Sequence, residues 1–148
     1  MSTTGLDVFD KTLQTTNIWL DEVMQTVGPD RKVAWHVLGA VLRTLRDRLP
    51  PELAAHLGAQ LPLLVRGAYY DAYRPGHGPD RLHTEDEFLT HVAQDFGGIR
   101  PVNVRTATGS VLAVLQRHVA PGLAEKVKVA LPTRIRALWP ATGEAVEP

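Results

Sequence analysis

With 148 residues the chain fits one domain, and folding at that size can hide roughly 70% of the surface an unfolded chain exposes, so a core needs no covalent staples. A composition of 44% hydrophobic, 22% charged and 6% aromatic residues favours helix over sheet, and the lack of cysteine excludes disulfides, thiolate ligands and a cysteine nucleophile. Net charge is zero, yet residues 1–30 set Lys11 against five carboxylates, whereas residues 97–140 set seven arginines and lysines against Glu125 alone. No apolar run approaches the roughly 20 residues of a membrane span, and the first residues lack a signal peptide's basic start, so a cytoplasmic protein without a membrane partner is expected.

The elements read in chain order as helices. Leu13, Leu20, Val23, Met24 and Val27 share a stripe that Gly28-Pro29 closes, which predicts a helix over about 7–27. Val33, Val37, Leu38, Val41, Leu42, Leu45 and Leu49 then recur every three or four residues until Pro50-Pro51 stops them. Pro51 suits a first helical turn, and Pro62 predicts a break with a new helix starting at it, a sharp kink being the alternative. Two prolines and two glycines within 73–81 forbid regular structure and mark a linker. Thr84-x-x-Glu87 reads as a capping box before Phe88, Leu89, Val92 and Phe96. A helix over about 102–119 follows, with Pro101 in its first turn, and Pro121 and Pro132 open two more. Residues 141–148 have no apolar face and are expected to be a disordered tail.

The chain also matches itself. At a shift of 70 residues, Gly39, Val41, Leu42, Leu45, Pro51, Leu53, Ala54, Leu61, Pro62 and Arg66 meet identical residues. At a shift of 69, Trp19 meets Phe88 and Val23 meets Val92. Such self-similarity marks a duplicated unit whose bare apolar face is covered by its copy. The expected fold is therefore all-α: a bundle of about eight helices from two tandem pseudo-symmetric units. One domain would span 1–140, with unit one at about 7–73, the linker at 74–83 and unit two at about 84–140.

The segments FDKTLQTTNIWL (9–20), LRDRLPPELAAHLGAQLP (45–62), LVRGAYYDAYRP (64–75) and EDEFLTHV (85–92) together resemble a bacterial family of helical proteins, domain of unknown function 2267. The resemblance covers about residues 7–140 and implies a helical fold, without implying an activity, substrate or catalytic residue. Where that family usually has Trp, this chain has Tyr73.

Three groups of residues could carry function. Arg66, Tyr69, Tyr70, Asp71 and Tyr73 run off a helix end toward His77 in the linker and could bind a small ligand; the blander reading makes the tyrosines anchors between the two units. His83, Glu87 and His91 fall at i, i+4 and i+8, a weak metal-ligand pattern, because the capping box sets His83 outside the helix; no metal or other cofactor is expected. Arg105, Arg117, Lys126, Lys128, Arg134 and Arg136 could track nucleic-acid phosphates if they share a face, or could meet the acidic first helix. Arg46-Asp47-Arg48 reads as a surface ion-pair run at a helix C-terminus. Neither a serine nucleophile elbow nor a phosphate-cradling glycine loop is present. Without a convergent catalytic set, the expected function is a protein-interaction or scaffold module, self-associating or bound to another protein. Nucleic-acid binding is the alternative, and ligand or metal binding near the linker the third.

Overall fold

The structure, a computed structural model, describes residues 2–140, so the expected tail at 141–148 lies outside the described residues. Among the described residues there are eight α-helices and no strand: α1 (Asp7–Val27), α2 (Arg31–Arg48), α3 (Pro51–Ala59), α4 (Leu63–Tyr70), α5 (Glu85–Gln94), α6 (Val104–His118), α7 (Pro121–Ala130) and α8 (Thr133–Arg136). Helices α1 and α2 carry the bulk of the first half. Their buried stripes, Trp19, Leu20, Val23 and Val27 on α1 and Val33 through Leu45 on α2, join α6 in one hydrophobic core to which α3, α4, α5, α7 and α8 also contribute. Burying that continuous apolar surface is what holds such short helices in place, since few of them would persist alone in water.

The ends follow local chemistry. Asp30 caps α2 by accepting the Lys32 and Val33 N–H groups. Thr84 and Glu87 form the complete capping box of α5. Pro51 and Pro121 each occupy the first turn of a helix. Gly28 closes α1 at φ +105°, a conformation that favours glycine, and Arg100 donates to the Val27 carbonyl beside it, where any Cβ on Gly28 would collide.

Several boundaries depart from expectation. The breaks expected at Pro62 and Pro132 are present, each proline being the N-cap residue immediately before α4 and α8, which start one residue later. Helix α6 begins at Val104, not near 102, because the Asn103 carboxamide accepts the Thr106 N–H and fixes the start there, leaving Pro101 outside. Against the expectation of no regular structure, the linker holds one turn of 3-10 helix, Pro75–His77; Pro75 supplies its first residue and Gly78, at φ +70°, ends it.

Gly58, in the last turn of α3, faces the ring of Tyr70, and a Cβ there would overlap the phenol oxygen and ring edge. Gly67, on α4, has open space around it. Gly58→Ala is therefore expected to destabilise by about 1–3 kcal/mol through overpacking, against the helix preference of alanine. Gly67→Ala is expected to stabilise by about 0.5–1 kcal/mol. Urea titrations followed by circular dichroism compare the two, and a stabilising Gly58→Ala would mean the Tyr70 ring yields freely.

Candidate functional site

The structure divides the polar and aromatic group at the end of α4. Tyr69 is fully buried and its hydroxyl donates to the Ala54 carbonyl at 2.6 Å, tying α4 to α3, while burial pushes its phenol far above the ordinary value. Tyr70 meets the Tyr69 ring edge-on at 5.0 Å. Both rings meet α3, Tyr69 at the Ala54 carbonyl and Tyr70 at Gly58. Tyr73 lies under the Arg46 guanidinium, 4.9 Å from its ring centroid, and burial raises its phenol despite that cation. Asp71 is exposed and ends α4, and Ala72 beside it takes a left-handed φ of +59°. Tyr73 and the exposed His77 line a cleft of about 150 Å³ with Asp47, Leu49 and Asp80. Arg66 lies elsewhere: it donates to the Ala59 and Leu61 carbonyls at 3.1 and 3.0 Å and edges a second groove.

Arg46 corrects the reading of residues 46–48 as a surface run. It is 4% exposed. One of its terminal nitrogens donates to both the Tyr69 and Asp71 carbonyls at 2.7 Å, and its Nε donates to Asp47 at 2.8 Å. The cause is the return of α4 across α2: the last carbonyls of α4 lack helical partners, and a planar guanidinium meets several at once. Arg48 also reaches across, donating to the Leu82 carbonyl at 2.7 Å.

The histidine stripe is likewise divided. Glu87 turns back to accept from the Thr84 hydroxyl and from the His83 and Thr84 N–H groups, and the Thr84 bond holds its carboxyl below the usual range. His91 instead faces Thr44 and Asp80. Among the described residues, the group able to gather three ligand atoms is Asp47, Asp80 and His91. No spacing in the sequence announces it, because each residue comes from a different element.

Much of the basic half is engaged with the chain itself. Arg105 pairs with Glu85 at 2.8 Å and Arg117 with Glu22 at 2.6 Å, and His118 also reaches Glu22 while stacking on Trp19 at 5.1 Å. Arg136 donates to the Lys128, Val129 and Leu131 carbonyls. Lys128 lies over the Trp139 ring. Lys126 and Arg134 are exposed on α7 and α8.

A different surface stands out by hydrophobicity. The apolar stripe of α1 runs on toward its N-terminus through Leu13 and Phe9, but these are 42% and 48% exposed, and Leu6 and Val8 stand out beside them. At Thr12 the start of α4 leans on this segment, the Leu64 N–H donating to the Thr12 hydroxyl at 3.3 Å, and Leu63 and Leu64 are exposed there as well. A groove of about 390 Å³ opens alongside, lined by Val8, Lys11, Trp19, Leu61, Leu63 and Arg66 among others. Leu13 was legible as part of the stripe; that the stripe overhangs the core was not.

No helix among the described residues is long and apolar enough to cross a membrane. Comparison with curated proteins gives no match. The profile of a family described as an uncharacterized conserved protein (DUF2267) matches residues 16–138, most of the chain, and so the chain belongs to the DUF2267 family.

Proposed function

We propose that this chain is a duplicated helical module that associates with a second copy of itself through the overhang of α1. The duplication reading, with units at about 7–73 and 84–140, is supported by neighbour relations. If α1 to α4 correspond to α5 to α8, then the packing of α1 on α6 has its counterpart in α5 on α2, α1 on α4 in α5 on α8, and α3 on α4 in α7 on α8. The pairs α2 with α6 and α3 with α7 then lie on the axis. Arg66 and Arg136, 70 residues apart, bond to carbonyls that are also 70 apart, Ala59 and Leu61 against Val129 and Leu131.

Within that frame α1 and α5 differ, and the difference carries the functional reading. Glu85, where α5 begins, corresponds at a shift of 69 to Thr16, so residues 7–15 form roughly two and a half extra turns with no equivalent in the second half. These turns carry Phe9 and Leu13 uncovered, and they lie outside the family match. Contiguous exposed apolar surface of this kind marks an association site. The first turn of α1 is acidic, with Asp7 and Asp10, whereas the neighbouring groove is edged by Lys11 and Arg66. The acidic first turn of one copy's α1 thus complements the Arg66 edge of the other's groove in charge as well as hydrophobicity, the reciprocal arrangement a two-fold dimer needs.

Sedimentation velocity is expected to find a dimer that becomes a monomer on Phe9→Asp with Leu13→Asp, with helical content retained. A wild-type chain that stays monomeric at every concentration, or a double variant that stays dimeric, would refute this reading. The nucleic-acid alternative draws less support, since Arg105, Arg117, Lys128 and Arg136 already meet groups of the chain.

A further inference from the structure

The cluster at the junction of α2, the linker and α5 is independent of the overhang. We infer that Asp47, Asp80 and His91 form a binding site for a divalent transition-metal ion of the zinc or manganese class. The fold brings them together from distant parts of the chain. The Asp80 N–H donates to the Asp47 carbonyl at 2.7 Å and Arg48 to the Leu82 carbonyl at 2.7 Å, so the linker is pinned over the last turn of α2 with the Asp80 carboxylate turned to His91. One ligand atom from each of the three lies within 4.8 Å of the others. His91 Nε2 and Asp80 Oδ2 are 3.5 Å apart. Ligands about 2.0–2.2 Å from a tetrahedral ion are about 3.3–3.6 Å from one another, so that edge is already at coordination spacing. A ligand atom of Asp47 lies within 4.8 Å of those of Asp80 and His91 and supplies the third corner.

The surroundings prepare these groups as ligands. His91 Nδ1 lies 3.2 Å from the hydroxyl of Thr44, a fully buried residue; with the ring proton on Nδ1 and directed to that oxygen, the Nε2 lone pair faces the carboxylates. Asp47 Oδ1 is held by Arg46 Nε at 2.8 Å, which orients the carboxylate and leaves its second oxygen for an ion. The adjoining cleft of about 150 Å³, reached by Asp47, Asp80 and His77, gives room for the waters that would fill the remaining positions. Two carboxylates and one imidazole are a donor set suited to zinc or manganese.

The plain alternative is an ion pair between His91 and Asp80. The matching junction of α1 and α6 shows what such a pair looks like here: one carboxylate, Glu22, closed by Arg117 and His118. At the α2–α5 junction two acids, Asp47 and Asp80, meet one histidine, and Arg46 engages only Oδ1 of Asp47, so the Asp80 carboxylate and the second Asp47 oxygen remain to share an ion with His91.

Calorimetric titration of the tag-free full chain with zinc chloride, and separately with manganese chloride, near neutral pH tests the site. At least one metal is expected to bind saturably at one ion per chain. Asp80→Asn and His91→Ala are each expected to weaken that binding at least about tenfold, and His56→Ala, on the exposed side of α3, to leave it unchanged. Because Asp80 lies on the linker, its variant tests the ligand set even if loss of the His91 ring disturbs α5; circular dichroism verifies the fold of each. Absence of saturable binding of either metal to the wild-type chain, or equal affinity in Asp80→Asn, overturns the proposal.

Discussion

Arg46→Ala is expected to cost about 3–5 kcal/mol, among the largest losses of any polar substitution in the chain. The guanidinium is almost wholly buried and supports three acceptors, the Tyr69 and Asp71 carbonyls and the Asp47 carboxylate. Removing it leaves the buried Tyr69 carbonyl and the part-buried Asp71 carbonyl without that donor, leaves a partly buried carboxylate without its cation, and opens space over the Tyr73 ring. Arg46→Lys is expected to recover part of the loss only, because an ammonium keeps the charge but lacks the planar fork. Urea denaturation monitored by circular dichroism measures both variants. A cost below about 1 kcal/mol for Arg46→Ala would mean that water replaces the guanidinium and that its burial matters little.

The importance of Arg46 is also where sequence reading stopped. Apolar periodicity made α1, α2 and α6 legible, and turn chemistry made their neighbours legible: Pro51 and Pro121 open helices, Gly28 closes one, and Thr84 with Glu87 caps another. These signals are local, each acting within about one helical turn. Whether Arg46-Asp47-Arg48 faces water depends on where α4 passes some 20 residues later, and no local signal carries that. The same limit hid Asp47, Asp80 and His91, which only the path of the linker assembles. The weak i, i+4, i+8 pattern of His83, Glu87 and His91 is divided by the same path. Glu87 Oε1 is already engaged by the cap, and His91 turns instead to Thr44 and Asp80. Phe9 and Leu13 fail differently: their stripe is in the sequence, but burial requires an opposing element, and none of the described helices covers these two side chains.

Leu115→Ala on α6 is expected to cost about 2–5 kcal/mol and, more tellingly, to destabilise both halves together. Leu115 has no exposed surface, nor has Leu45, its match on α2 at a distance of 70 residues, and both lie in a core that α1, α2, α5 and α6 share. A methylene cavity in such a core cannot be relieved by one half alone, because the side chains facing it come from either side of the linker. Leu45→Ala is therefore expected to give a similar loss, and each variant to unfold in one transition. The indole resonances of Trp19, on α1, and of Trp139, just past α8, report the two halves separately and are expected to vanish at the same urea concentration in all three proteins. If Leu115→Ala instead released Trp139 while Trp19 stayed folded, the halves would be separately stable. The shared core would then be a contact between finished units, not the condition for either to fold.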